Sequence, residues 1–98
     1  MKIKIIKNKN LLDFKSWPIW ECEPSKFDWT YSEEEHCFII KGNVTVTGPE
    51  NTVEIESGDY VIFPKGLNCV WEVHETIKKH YTLQRTRFPV AHIEHRCF

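Results

Sequence analysis

The chain has 98 residues, 41% of them hydrophobic and 28% charged, enough for one compact core and too few for two, so a single domain over 1–98 is expected. Thirteen basic side chains against fourteen acidic ones give a formal net charge of −1, which supplies no positive field for a phosphate backbone and argues against nucleic acid as a partner. The opening MKIKIIKNKN lacks the apolar run of a signal peptide, and no stretch nears the roughly 20 apolar residues that span a bilayer, so a cytoplasmic protein without membrane contact is expected.

In chain order, Leu11 to Lys15 is the one segment that reads as a helical turn. Val44-Thr45-Val46-Thr47 and Thr52-Val53-Glu54-Ile55-Glu56 alternate apolar with polar residues, the period of a strand with one face on a core. Tyr60 to Phe63, Cys69 to His74 and Ile77 to Leu83 continue the series with aromatic and β-branched residues. Gly42-Asn43, Gly48-Pro49, Ser57-Gly58-Asp59 and Lys65-Gly66 separate the runs as turn signals. Short strands with regular turns predict an all-β sandwich or barrel. Cys22, Cys37, Cys69 and Cys97 form no CxxC pair, which predicts reduced thiols and neither a redox motif nor a zinc knuckle.

Two stretches share a frame. Gly58-Asp59-Tyr60-Val61-Ile62-Phe63-Pro64-Lys65-Gly66-Leu67-Asn68-Cys69 fits G-x5-P-x-G-x2-H with cysteine at the histidine, and Trp29-x-Tyr31-x3-Glu35-x6-Gly42 fits H-x-H-x3-E-x6-G with only the carboxylate and glycine retained. Together with IWECEPSKFDWTY, FPKGLNCVWEV and IKKHY, these motifs resemble the cupin subgroup named after the ureidoglycine aminohydrolase cupin domain, over about residues 17–83, leaving 84–98 as a C-terminal extension. The resemblance implies a jelly-roll β-barrel in which positions 29, 31, 35 and 69 converge inside one end. If Cys69 points inward, alternation sends Trp71 and Val73 with it and Glu72 and His74 outward; an inward Tyr81 brings Ile77, Lys79, Leu83 and Arg85 onto its face.

The chemistry of such a site departs from a metal cupin. Cupin iron or manganese is held by imidazoles and a carboxylate; indole cannot ligate, and tyrosine ligates well only as phenolate. Glu35 with Cys69 is at most a partial soft site, so no metal and no cofactor is expected. Each residue also has a structural reading: Cys69 as a small buried hydrophobe, Trp29 and Tyr31 as plugs of the barrel, and Glu35 as a hydrogen-bond hub answered by Tyr31, Tyr81 or Lys79. His36, His74 and His80 fall by alternation on the wrong faces to replace a ligand, and the His92 to Cys97 tail matches no tetrahedral spacing.

Three classes of function follow. The first is a small-molecule-binding or catalytic cupin with Glu35 and Tyr81 as catalytic groups and Trp29, Tyr31, Cys69, Trp71 and Lys79 lining a ligand. The second is an atypical metalloenzyme built on Glu35 and Cys69, and the third a non-catalytic interaction scaffold. His36, Phe38 and Ile40 alternate outward, and the covering that Phe38 and Ile40 demand predicts a homodimer through strand edges or an outer sheet face.

Overall fold

The computed structural model describes residues 2–7 and 14–84. In chain order these form β1 (Lys4–Ile6), a 3-10 turn (Phe14–Ser16), β2 (Ile19–Cys22), β3 (Ser25–Thr30), β4 (Glu34–Thr47), β5 (Thr52–Glu56), β6 (Tyr60–Phe63) and β7 (Asn68–Gln84). The 3-10 turn overlaps the end of the expected helical segment, whose residues 11–13 lie outside the described residues. Among the described residues no helix is long and apolar enough to cross a membrane.

Every strand pairing is antiparallel, in the order β1-β6-β4-β7-β2, with β3 added to β7 and β5 to β4. The two long strands make the roll. The first part of β4 pairs with β6 on one side and its second part with β5, while β7 pairs with β4 along nearly its whole length. On its other edge β7 takes β3 at 68–73 and β2 at 77–80. A strand that serves two neighbours in succession must bend between them, and here the bend closes the sheet into the expected jelly-roll barrel.

The bend corrects one reading of the sequence. Gly42-Asn43 was expected to be a turn between strands, and Cys69 to His74 and Ile77 to Leu83 two separate strands; instead β4 and β7 each run through. Gly42 has φ of 91°, and a Cβ there would lie 2.3 Å from the Thr76 carbonyl oxygen and 2.7 Å from Ile77 Cα. The β4–β7 register slips around this contact, between Ile39 and Val44. Glycine's freedom is spent on a bulge that turns the corner rather than on a reversal of the chain. True reversals occur at Gly48, whose N–H donates to Asn51 O (2.9 Å), and at Gly58, φ 93°, where the buried Asp59 carboxylate accepts from Glu56 N–H (2.9 Å) and pairs with Lys7 (2.7 Å).

Alternation then fills the inside. Cys37, Ile39, Val44, Val46, Ile55, Val61, Phe63, Leu67, Trp71, Val73 and Ile77 are buried, each large one contributing about 1.5–3 kcal/mol of transfer free energy. Cys69, Trp71 and Val73 face in while Glu72 and His74 are exposed, as alternation requires. Outside, Phe38 and Ile40 are half-buried, and the Trp17-Pro18 segment crosses that face: His80 Nδ1 donates to Trp17 O (2.9 Å) and Tyr81 N–H donates to Pro18 O (3.0 Å). Cys37 and Cys69 are thiols outside any disulfide, as expected at those positions. Cys97 lies outside the described residues.

Candidate functional site

The two motifs meet through backbone geometry. The β3–β7 register sets Trp29 opposite Cys69, and Glu35 stands between Phe63 of β6 and Leu83 of β7. Tyr31, one residue past β3, is clamped by the glycine loop of the second motif: its N–H donates to Leu67 O (2.9 Å), and Gly66 N–H donates to Tyr31 O (2.7 Å). Gly66 has φ of 87°, a backbone state that a glycine adopts without steric penalty. The Tyr31 ring stacks on Phe63 at 4.7 Å and 8°, and Trp29 meets Tyr31 edge-on at 6.3 Å and 88°.

Inside this end, Lys79 answers Glu35. The two side chains are 3% and 1% exposed, and the Lys79 Nζ donates to Glu35 Oε2 in a buried ion pair. The ammonium also lies over the rings of Trp20 and Trp71, 4.9 Å from each centroid, with Phe63 at 5.8 Å and Tyr81 at 6.0 Å. A buried carboxylate alone would cost several kcal/mol, and the paired ammonium and the π faces around it offset that penalty. Trp20 was not foreseen as part of the site. It reaches Lys79 because the β2–β7 register pairs the two positions, and the only signal in the sequence is its apolar place in the alternation of Ile19-Trp20-Glu21-Cys22.

The neighbouring acids are held neutral. Burial pushes the Tyr31 hydroxyl well above its ordinary pKa, with Glu35, Cys69 and Cys37 adding to the rise. Burial likewise pushes the Cys69 thiol to about 11, against the opposing influence of Trp71 and Lys79. The Cys69 thiol donates to Trp29 O at 3.6 Å. Trp71 Nε1 lies near both groups and lowers both pKa values, yet it makes no aligned hydrogen bond to any protein atom.

This donor set does not fit the divalent metal that a cupin fold suggests. Among the described residues no three His, Cys, Asp or Glu side chains group together. Glu35 is engaged by an ammonium, Cys69 is a thiol rather than a thiolate at neutral pH, and Tyr31 is a phenol. The described histidines are committed elsewhere: His36 to Glu34 and Tyr60, His74 to Thr45, and His80 to Trp17. His92 and His95 lie outside the described residues.

The structure therefore gathers Tyr31, Glu35, Cys69, Trp71 and Lys79 inside the barrel, with Trp29 and Tyr81 half-buried beside them; Arg85 lies outside the described residues. A surface concavity of about 370 Å³ touches Trp29 and Cys69 but is otherwise lined by Asp28, Thr30, Thr47, Asn68 and Val70, which alternation places on the outer face. Glu35 and Lys79 do not line it.

Comparison with known proteins bears on this architecture. Residues 10–81 match the family described as EutQ-like cupin domain. A DUF861 family protein from Thermotoga maritima is 45% identical, with 85% of this chain and 100% of that chain covered, at a TM-score of 0.80. The EutQ protein of Clostridium difficile shares the fold at 23% identity and TM-score 0.59, with 81% of this chain and 64% of that one covered. A DUF861 family protein of unknown function from Pseudomonas syringae does so at 22% and 0.59, covering 64% and 28%. No match was found among curated proteins. With a barrel of this topology and a family match that takes in both motifs, the chain belongs to the EutQ-like cupin domain family.

Proposed function

We propose that this cupin binds, and acts on, a small molecule at the barrel end without a tightly held metal. Glu35 is the acid–base group and Tyr81 works on the ligand from the edge of the site. Trp29, Tyr31, Cys69, Trp71 and Lys79 form its walls. The Glu35–Lys79 ion pair carries this reading, because an ammonium already supplies the positive charge that a metal would bring to the carboxylate. The finer likeness to ureidoglycine aminohydrolase domains enters through shape alone, since the imidazole donors that manganese needs are replaced by Trp29, Tyr31 and Cys69. A cytoplasmic homodimer paired through strand edges or an outer sheet face completes the proposal; sedimentation at tens of micromolar that finds only monomer would remove that part.

Metal content by mass spectrometry and thermal shift against a metabolite library, on wild type, Glu35→Gln and Cys69→Ala, test the site. We expect no stoichiometric manganese or iron, and ligand shifts that vanish in Glu35→Gln. Stoichiometric metal lost in both variants would establish the metalloenzyme instead. A scaffold is the second reading, favoured by how completely Trp71, Phe63 and Glu35 fill the interior, each under 2% exposed; it predicts no ligand shift in any variant.

A further inference from the structure

The interior of this barrel end is lined by hydrogen-bond donors where a metal-holding cupin presents acceptors. A ligating imidazole offers a lone pair; the indole of Trp29 or Trp71, the hydroxyl of Tyr31 and the thiol of Cys69 each offer a proton, and so does the Lys79 ammonium. On the acceptor side stands the Glu35 carboxylate, already bonded to Lys79. Cys69 spends its proton on the Trp29 carbonyl. Trp71 is different: its side chain is 2% exposed and its Nε1–H, beside Tyr31 and Cys69, has no aligned protein acceptor. A buried donor left unmatched costs about 1–3 kcal/mol, and among the described residues Trp71 Nε1 is the buried side-chain polar atom that stands unmatched.

Charge narrows what could supply the missing acceptor. Glu35 and Lys79 cancel each other, so an incoming anion would itself be the uncompensated charge, next to a carboxylate and away from water. A cation would meet Lys79 and gain nothing from Trp71 or Tyr31. An uncharged carbonyl oxygen uses the unmatched Trp71 donor and brings neither penalty.

Deepening the metal-independent pocket proposed above, and resting on it, we infer that the interior site takes an uncharged carbonyl compound, an amide, ketone or aldehyde, whose oxygen accepts from Trp71 Nε1–H and the Tyr31 hydroxyl. The Glu35–Lys79 pair then borders the carbonyl carbon's substituents, and the aromatic rings of Trp20 and Phe63 set the size that fits.

The chain has four tryptophans, so a nitrogen-15 spectrum of the full-length protein shows their indole N–H signals separately. Trp71→Phe identifies the Trp71 signal; should that variant not fold, through-space contacts in the wild type assign it. The probes are acetamide, acetone, acetate and methylammonium, each titrated alone. We expect acetamide or acetone to move the Trp71 signal saturably, methylammonium not to move it, and acetate to require about tenfold more ligand. Tyr31→Phe, with its signal dispersion intact, should weaken the acetamide response several-fold. The inference is overturned if acetate saturates as readily as the neutral probes, or if neither carbonyl probe moves the Trp71 signal. A library ligand that shifts the melting point and the Trp29 signal alone would overturn this inference while sustaining the metal-independent pocket. Silence from every probe and every library member would overturn both.

Discussion

Glu34 and Glu35 are adjacent in the chain, yet each has a basic partner of a different kind in a different solvent. Glu34, its side chain 43% exposed, accepts from His36 Nε2 at 2.7 Å on the outside of β4. The Nδ1 of the same ring lies 2.6 Å from the Tyr60 hydroxyl, a second hydrogen bond that holds the imidazole on the outer face. Glu35 turns inward to an ammonium boxed by Trp20, Phe63, Trp71 and Tyr81. The difference teaches that one step of strand alternation decides what a carboxylate is worth. Water competes for the outer pair, whereas each interior charge has traded its hydration for its partner.

The largest expected effect breaks the interior side of this contrast. Lys79→Met should destabilise the protein by about 3–5 kcal/mol in urea unfolding, because Glu35 is left as a lone buried charge. The double variant Glu35→Gln with Lys79→Met should recover most of that loss. A loss below about 1 kcal/mol for Lys79→Met would place the interior pair in the same class as the outer one. Next, Gly42→Ala should cost at least about 2 kcal/mol, since its Cβ meets the Thr76–Ile77 backbone at a positive φ and disturbs the corner that leads to Lys79. A melting temperature unchanged by Gly42→Ala would detach the corner from the site.

A smaller effect is read in alkali. Cys69 and Tyr31 are neutral acids whose folded pKa values are raised, so the unfolded chain gives up those protons first. Their stabilisation is therefore whole below the thiol's ordinary value of 9.0 and falls as pH climbs through about 11, by on the order of 2 kcal/mol for the thiol. Urea midpoints measured from pH 8 to 11 should show the fall, reduced in Cys69→Ala. A flat profile would mean that this end of the barrel is wet. Smallest of all, Glu34→Gln should change stability by no more than about 1 kcal/mol, less at high salt. A loss of several kcal/mol there would erase the contrast from the other side.

Residue spacing carried much of this organisation. The all-β class and the inward set of Cys69, Trp71 and Val73 follow from period-two alternation, a local property of the chain, whereas the jelly-roll closure and the meeting of Tyr31, Glu35 and Cys69 were legible only through the resemblance of the two motifs to cupins. Lys79 was legible only as one of several groups able to answer Glu35, because choosing among them requires cross-strand distances. Trp20 was not legible at all, since its place over the ammonium depends on the β2–β7 register between positions 20 and 79. Gly42 was misread for the same reason. A positive φ serves a turn or a bulge equally, and what decides is the backbone of Thr76 and Ile77 pressing against it.

The long β4–β7 ladder also sets an order of events in time. Its pairing runs from positions 47 and 70, 23 apart, to positions 34 and 84, 50 apart. Closing the longer loop first would cost about 0.7 kcal/mol more entropy, so the ladder is expected to zip from the Val46–Trp71 end, through the Gly42 corner, toward Glu35. The charged pair would then be sealed late, after the hydrophobic half has formed. Substitutions at Val46 should slow refolding, while those at Glu35 and Lys79 should leave the refolding rate nearly unchanged and quicken unfolding. The residence time of the folded barrel, more than its speed of assembly, is thus entrusted to one lysine and one glutamate.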